Sequence, residues 1–434
     1  MAMRWLLAAV AAFGCTAVVS SALGQNPVSA DPSAKGQVEL RGAGATFPAP
    51  LYQKWIDVYT QANPNISIKY QGVGSGEGSQ LFLEQKVDFG ASDAALSDAQ
   101  IAQAKAGVTL VPTTAGIIVL AYNLPDVKGT LKLSRDVYAD IFAGKIRQWD
   151  DPRIQALNPD LKLPKQTITL VARKDSSGTT YALTNHLSTI SAAWRTQGPG
   201  VGKVIEWPGI STVARGNEGV AGRIKHSWGS IGYVEYGFAK RLGLPMVYLQ
   251  NKAGRYVEPG PQSGQAALAA NVNQIPSNLR LFLPDPDGED SYPIITLTWL
   301  LLHNHYVEPQ KGVALKGFID WALTDGQRFS GDMGYIPLPA DLAMRARAAV
   351  EAWIGAPSGR IHIFARDLDL DQEWSLLPEN NLVRNALTLV LTELGIERLP
   401  TCKLNLTTEI PISAGLGASA ALAVALMRAF SAFL

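Results

Sequence analysis

The chain has 434 residues, 47% of them hydrophobic, a size and composition that suit about two or three domains with ordinary cores and exclude a disordered polypeptide. Thirty-eight basic side chains stand against 37 acidic ones with no basic block, which excludes a nucleic acid or an anionic membrane surface as a partner held by bulk charge. Cys15 and Cys402 are the two cysteines, too few for a cysteine metal cluster, and the five histidines are scattered.

Arg4 precedes an apolar run over residues 5–19, and Ala22-Leu23-Gly24 then offers a small-x-small cleavage site before Gln25. Residues 1–24 are expected to be an export signal, because the apolar run is shorter than the roughly 20 residues that a membrane span needs. Ala12-Phe13-Gly14-Cys15 gives a poorer alternative, a lipid-attachment box that would leave a lipoprotein. Cleavage removes Cys15 and leaves Cys402 without an intramolecular disulfide partner. Residues 25–37, with Ser, Pro and Gly, read as a linker.

From residue 38 strand and helix signals alternate. A short strand over 38–40 leads to a helix over 50–61, in which Leu51, Trp55, Val58 and Tyr59 recur at helical spacing. Residues 66–70 alternate as a strand and 80–85 read as a helix. Residues 110–111 and 116–122 read as two strands, the second passing between lobes, and 167–171 as a strand running into a loop at Arg173. This alternation predicts an α/β fold of parallel or mixed sheets covered on both faces, with a ligand at the carboxyl ends of strands.

Four short segments at such strand ends carry the chemistry: Gly42-Ala43-Gly44-Ala45-Thr46-Phe47-Pro48, Gly72-Val73-Gly74-Ser75-Gly76, Phe89-Gly90-Ala91-Ser92-Asp93 and Arg173-Lys174-Asp175-Ser176-Ser177-Gly178-Thr179-Thr180. Each is read as a loop between a strand and a helix, where unpaired N–H groups and the positive end of the helix dipole favour an anion, and small residues let it approach the chain. Hydroxyls at Thr46, Ser75, Ser177 and Thr179 add donors, and Arg173 adds a planar cation. Taken singly, these serines and threonines also suit helix N-caps, Asp93 suits a cap, and the glycines suit turns. Asp93 is an acceptor in a site of donors: it suits an anion that still carries a proton, such as phosphate, and rejects one that carries none, such as sulfate. His303-Asn304-His305 is expected to be a solvated strand end, and no metal site or cofactor is expected.

In this order the four segments, with Gly144-Lys145-Ile146-Arg147-Gln148-Trp149-Asp150-Asp151, Leu157-Asn158-Pro159, Gly232-Tyr233-Val234-Glu235-Tyr236 and Asp320-Trp321-Ala322, resemble the periplasmic phosphate-binding proteins of phosphate ABC transporters over residues 38–348. The resemblance implies a two-lobed periplasmic-binding-protein fold (type II) with hinge crossovers, lobe I being 38–115 and 290–348 and lobe II 116–289. It implies inorganic phosphate held by Thr46 (hydroxyl and N–H), the N–H of Phe47, Ser75, Asp93, Arg173, Ser177, the N–H of Gly178, and Thr179. Asp175 would orient the Arg173 guanidinium. It further implies a monomer in the periplasm that delivers phosphate to the membrane permease and ATPase subunits of an ABC transporter.

Past residue 355 the text changes. Ala356-Pro357-Ser358-Gly359-Arg360-Ile361-His362-Ile363-Phe364, a helix over 381–394, and Glu409-Ile410-Pro411-Ile412-Ser413-Ala414-Gly415-Leu416-Gly417-Ala418-Ser419-Ala420-Ala421 resemble the N-terminal part of a GHMP-type kinase, a partial α+β segment over 355–434. Gly415, Gly417 and Ser419 match its phosphate-cradling turn. Ala418 replaces the family's paired serine, Ser358 interrupts the Ala-Pro-Gly opening, and the sequence stops before the family's later catalytic aspartate. The segment is expected to be an inactive, truncated fragment. The expectation for the whole chain is therefore a phosphate receptor and not an enzyme. The alternatives are kinase chemistry in the tail, a phosphohydrolase using the anion pocket, and a phosphate-binding surface protein uncoupled from transport.

Overall fold

The computed structural model describes residues 37–352, 361–365, 370–373, 377–378, 381–393 and 402–406. The export signal, Cys15, nearly all of the linker and the turn with Gly415, Gly417 and Ser419 lie outside the described residues. The elements run β1 (Val38–Gly44), α1 (Ala49–Ala62), β2 (Ile66–Gly72), α2 (Ser75–Leu83), β3 (Phe89–Ser92), α3 (Asp98–Gln103), β4 (Val108–Tyr122), β5 (Lys132–Leu133), α4 (Arg135–Phe142), α5 (Pro152–Leu157), β6 (Thr169–Arg173), α6 (Gly178–Ile190) and α7 (Ala192–Gln197). They continue β7 (Ser211–Ala214), α8 (Gly216–His226), β8 (Ser230–Glu235), α9 (Tyr236–Leu242), β9 (Tyr248–Gln250), β10 (Tyr256–Val257), α10 (Pro261–Ala269), β11 (Ile295–His303), α11 (Pro309–Leu323), α12 (Ala340–Ala352), β12 (Ile361–Ala365), β13 (Leu370–Glu373), α13 (Leu382–Glu393) and β14 (Cys402–Leu406).

The main sheet has eight strands in the order β2-β1-β3-β11-β4-β8-β6-β7. β1 is parallel to β2 and β3, β6 is parallel to β7 and β8, and β4 and β11 run antiparallel to their neighbours. β4 joins the two halves, pairing with β11 as far as Ile117 and with β8 from Ile118 to Tyr122. Two strands were expected here, separated at residues 112–115. They are one, because Pro112 sits where the β4/β11 register shifts and no regular ladder donor is required of it. A second sheet, β10-β9-β5, flanks the main one, and β13-β12-β14 forms a third within the C-terminal segment.

Other boundaries differ from expectation too: β1 runs on to Gly44, into a segment read as a loop, β2 runs to Gly72, and β6 is Thr169–Arg173. The helix expected at 80–85 begins at Ser75 and ends at Leu83, so Ser75 belongs to its first turn. The segment expected to be a loop at 89–93 is a buried strand up to Ser92, with only Asp93 emerging from its end, since small residues here let β3 lie between β1 and β11.

Apolar periodicity explains the packing. In α1 the buried Leu51, Tyr52, Trp55, Ile56 and Tyr59 form one stripe, while Gln53 and Lys54 face solvent. Trp55, Trp149, Trp194 and Trp299 are fully buried, and each indole N–H donates to a backbone carbonyl, that of Gly326, Gly229, Gly200 and Leu279 respectively. His303 is likewise buried and not the solvated strand end expected: its ring stacks on Phe82 with centroids 4.0 Å apart, and Nε2 bonds the carbonyl of Val87. Among the described residues no helix is long and apolar enough to cross a membrane, and no group of three or more His, Cys, Asp or Glu side chains is placed to hold a metal.

Candidate functional site

β1, β2 and β3 of one half of the sheet and β6 and β7 of the other end in the same place. Thr46 follows β1, Ser75 opens α2 after β2, Asp93 leaves β3, Arg173 ends β6, Ser177 to Thr179 start α6, and Gly216 and Asn217 start α8 after β7. The halves meet here directly. The N–H of Gly76 donates to the carbonyl of Ser176 at 2.9 Å, and Asn217 donates to the Thr46 hydroxyl from both its backbone N, at 3.2 Å, and its Nδ2, at 3.0 Å.

Asp93 is 1% exposed. Side chains two apart on a strand share a face, so Thr296 and Thr298 of β11 both reach it: Thr296 donates to its carbonyl at 3.1 Å and Thr298 to its Oδ1 at 2.9 Å. Its Oδ2 lies 3.5 Å from the Ser75 hydroxyl, which itself accepts the Asp93 N–H at 3.2 Å. Burial pushes the Asp93 carboxyl up to about 7, although Thr298, Arg173, Lys203 and Ser75 all pull it down. One carboxylate oxygen is thus held by Thr298, and the other is poised to accept.

Arg173 is fixed on its far side. Nε donates to Asp175 Oδ1 at 2.9 Å and Nη2 to Asp175 Oδ2, while Nη1 reaches the Thr179 hydroxyl at 3.3 Å. Burial pushes the Asp175 carboxyl up, but its bonds to Arg173 and to the N–H of Gly216, at 2.9 Å, leave it below the usual range. The pair shares one charge of each sign in a dry place, so the guanidinium is positioned more than it is a source of net positive field.

The α6 N-terminus supplies donors. Ser177 is its N-cap, its hydroxyl accepting the Thr180 N–H at 3.1 Å. Among the described residues the N–H groups of Gly178 and Thr179 have no protein acceptor, as the geometry of a first helical turn requires, and those of Thr46 and Phe47 have none either. The Phe47 ring turns into the core, edge-on to Tyr335 with centroids 6.1 Å apart, so only its main chain faces the site. A Cβ on Gly178 would stand 2.5 Å from Ser75 Oγ and 2.7 Å from Asp93 Cβ, so glycine is what lets this turn touch the opposite half. Gly74 serves the same contact from the other side, at φ 107° and with room for no Cβ beside Asp175 Oδ2.

Six of the eight residues named from sequence, Thr46, Ser75, Asp93, Arg173, Gly178 and Thr179, are joined by contacts made directly or through Asn217. Ser177 caps the helix beside them, Phe47 offers main chain alone, and Asp93 caps no helix, Ser97 capping the one that follows. Besides Thr296 and Thr298, two residues were not anticipated. Asn217 is fully buried between Thr46 and Thr179, and Lys203, whose carbonyl accepts the Ser177 N–H at 2.9 Å, is pushed down by burial and pulled back up by the charge of Asp93. A glycine-asparagine pair at a strand end was the signal available for the first; nothing local marks the second.

A family model described as PBP superfamily domain matches residues 29–326, and one described as GHMP kinases N terminal domain matches 381–434. The phosphate-binding protein PstS of Pasteurella multocida is 38% identical over 322 residues, covering 74% of this chain and 92% of that protein. The chain belongs to the PstS family of phosphate-binding proteins. PstS of Haemophilus influenzae is 40% identical over 304 residues, or 70% of this chain and 90% of its own length, and PstS of Methanocaldococcus jannaschii is 37% identical over 70% of this chain and 83% of its own. The PstS fold is shared with PfluDING, a high-affinity periplasmic phosphate-binding protein solved with phosphate bound, at a TM-score of 0.60 and 20% identity over 72% of this chain and 93% of that one. A phosphate-binding protein from Stenotrophomonas maltophilia gives 0.59 and 20% with the same coverage.

Proposed function

We propose that this PstS-family chain is an extracytoplasmic receptor that captures inorganic phosphate between two lobes and hands it to an ABC permease. Residues 38–115 with 290–348 form one lobe and 116–289 the other, with β4 as a hinge crossover. The ligands are Thr46, Phe47, Ser75, Asp93, Arg173, Ser177, Gly178 and Thr179. The protein works as a monomer, exported to the periplasm by residues 1–24, and its partners are the permease and ATPase subunits of the transporter.

The observation that carries this reading is the pairing of Asp93 with a ring of donors. Free N–H groups at Thr46, Phe47, Gly178 and Thr179 and the guanidinium of Arg173 replace the hydration of an anion. One carboxylate oxygen is kept to receive the proton that phosphate retains near neutral pH. Such a site favours binding over chemistry: the Asp175 carboxylate is occupied in orienting Arg173, and the Ser75 hydroxyl, whose distance to Asp93 Oδ2 is a long 3.5 Å, is held by the Asp93 N–H. Kinase chemistry in the C-terminal segment is not favoured, given Ala418 where the resembled family has its paired serine, within the GHMP match, and Ser358 interrupting the Ala-Pro-Gly opening before it. Isothermal titration of the purified chain with phosphate tests the proposal. A saturable heat with one phosphate per chain is expected, without ATP hydrolysis, and absence of binding refutes it.

A further inference from the structure

Asn217 is the second residue of α8 and fully buried. Its Oδ1 accepts the N–H of Glu235 at 3.0 Å, and because an N–H can only donate, the amide has one permitted orientation, with its NH2 pointing the other way. The two hydrogens of that NH2 go to Thr46 Oγ1 at 3.0 Å and to Thr179 Oγ1 at 3.3 Å. Thr46 Oγ1 receives a second donor, the Asn217 backbone N–H at 3.2 Å, and Thr179 Oγ1 receives Arg173 Nη1 at 3.3 Å.

A hydroxyl oxygen accepts two hydrogen bonds and donates one. Both oxygens therefore have their acceptor capacity filled by protein, and what each has left is its proton. We infer that Asn217 is a positioning residue that fixes Thr46 and Thr179 as donors to the bound anion; the inference rests on the phosphate reading above. The two threonines come from opposite halves of the sheet, so Thr46 acquires this polarity only when the halves are together. Ser75 is built differently: its oxygen takes one donor, the Asp93 N–H, and its proton has the Asp93 carboxylate within 3.5 Å as an alternative target. Asn217 thus divides the labour of the site, making two hydroxyls obligate donors once the halves meet, while Ser75 and Asp93 stay able to adjust to the proton on the ligand.

Titration calorimetry with inorganic phosphate on wild-type, Asn217→Asp, Asn217→Ala and Thr46→Val chains tests this. Asn217→Asp keeps shape and the acceptor for Glu235 but turns the NH2 into an acceptor that draws both threonine protons away from the ligand. It is expected to lose about 10²-fold or more in phosphate affinity, and Asn217→Ala about 10-fold. In a Thr46→Val background the loss from Asn217→Ala is expected to shrink severalfold, because part of it acts through the Thr46 hydroxyl. An Asn217→Asp chain within about three-fold of wild type, or an Asn217→Ala loss that is unchanged by Thr46→Val, overturns the inference. If Asn217→Ala fails to fold, the near-isosteric Asn217→Asp decides alone. A wild-type chain that takes up no phosphate overturns the phosphate reading itself, which the variants cannot do.

Discussion

Asp93→Asn exchanges one oxygen for an NH2 with little change of shape. Thr298 donates to Oδ1 at 2.9 Å, and the arrangement that preserves this bond keeps the amide oxygen there. The NH2 then stands where Oδ2 stood, beside Gly178, whose added Cβ would lie 2.9 Å from that atom. A phosphate P–OH that had a carboxylate to donate to now faces a donor. Losing a hydrogen bond to a charged group is worth about 1.5–3 kcal/mol, or roughly 10- to 150-fold in phosphate affinity. Sulfate moves the other way: it exchanges a lone-pair clash for a donor and regains about 1–3 kcal/mol. The preference for phosphate is therefore expected to fall on the order of 10³-fold. Calorimetry with both anions at pH 8 reads it, above the value near 7 to which burial raises the Asp93 carboxyl, opposed chiefly by Thr298. A variant that keeps the wild-type preference refutes the role given to Asp93.

Gly178→Ala places a carbon 2.5 Å from Ser75 Oγ and 2.7 Å from Asp93 Cβ, so the halves must part by about an ångström; a loss near 10²-fold in phosphate affinity with an unchanged thermal midpoint of the ligand-free chain is expected, read by calorimetry and scanning fluorimetry. Glu77→Ala removes the Arg215 ion pair across the cleft mouth, whose side chains are 66% and 50% exposed, and should change phosphate affinity by less than about three-fold. His186 is buried, Nε2 accepting from Tyr138 at 2.8 Å and Nδ1 donating to the carbonyl of Pro284, and burial pushes it down to about 4. The unfolded chain protonates this group near pH 6.5 and the native one only near 4, so its contribution to stability is full above about 6.5 and falls as pH drops through that window. Urea titrations of wild type and His186→Gln between pH 4 and 7 should show the wild-type slope flattened in the variant.

Much of the cleft was legible because its groups are local: a strand, two or three small residues, a hydroxyl and a helix start are contiguous in sequence, and glycine at 178 signals a close approach. The fold class was legible from alternation, and residues 38–348 from the order of the motifs. What escaped depends on distant partners. Thr298 lies 205 residues from Asp93 and looks like an ordinary strand residue, and Asn217 lies 171 from Thr46 and is marked by nothing more than the glycine before it at a strand end. β4 reads as two strands from sequence, and the shifted register opposite Pro112 that makes it one strand is set by β11, far away in the chain. His303 reads as solvated from sequence because a strand-end histidine carries no local mark of the Phe82 ring that covers it.

The account is tested most directly by asking whether sulfate displaces phosphate from the wild-type chain in equilibrium dialysis near pH 8. With the Asp93 carboxylate buried among donors and held by Thr298, phosphate is expected to stay bound against a sulfate excess of about 10³-fold. Displacement of phosphate by comparable concentrations of sulfate contradicts it.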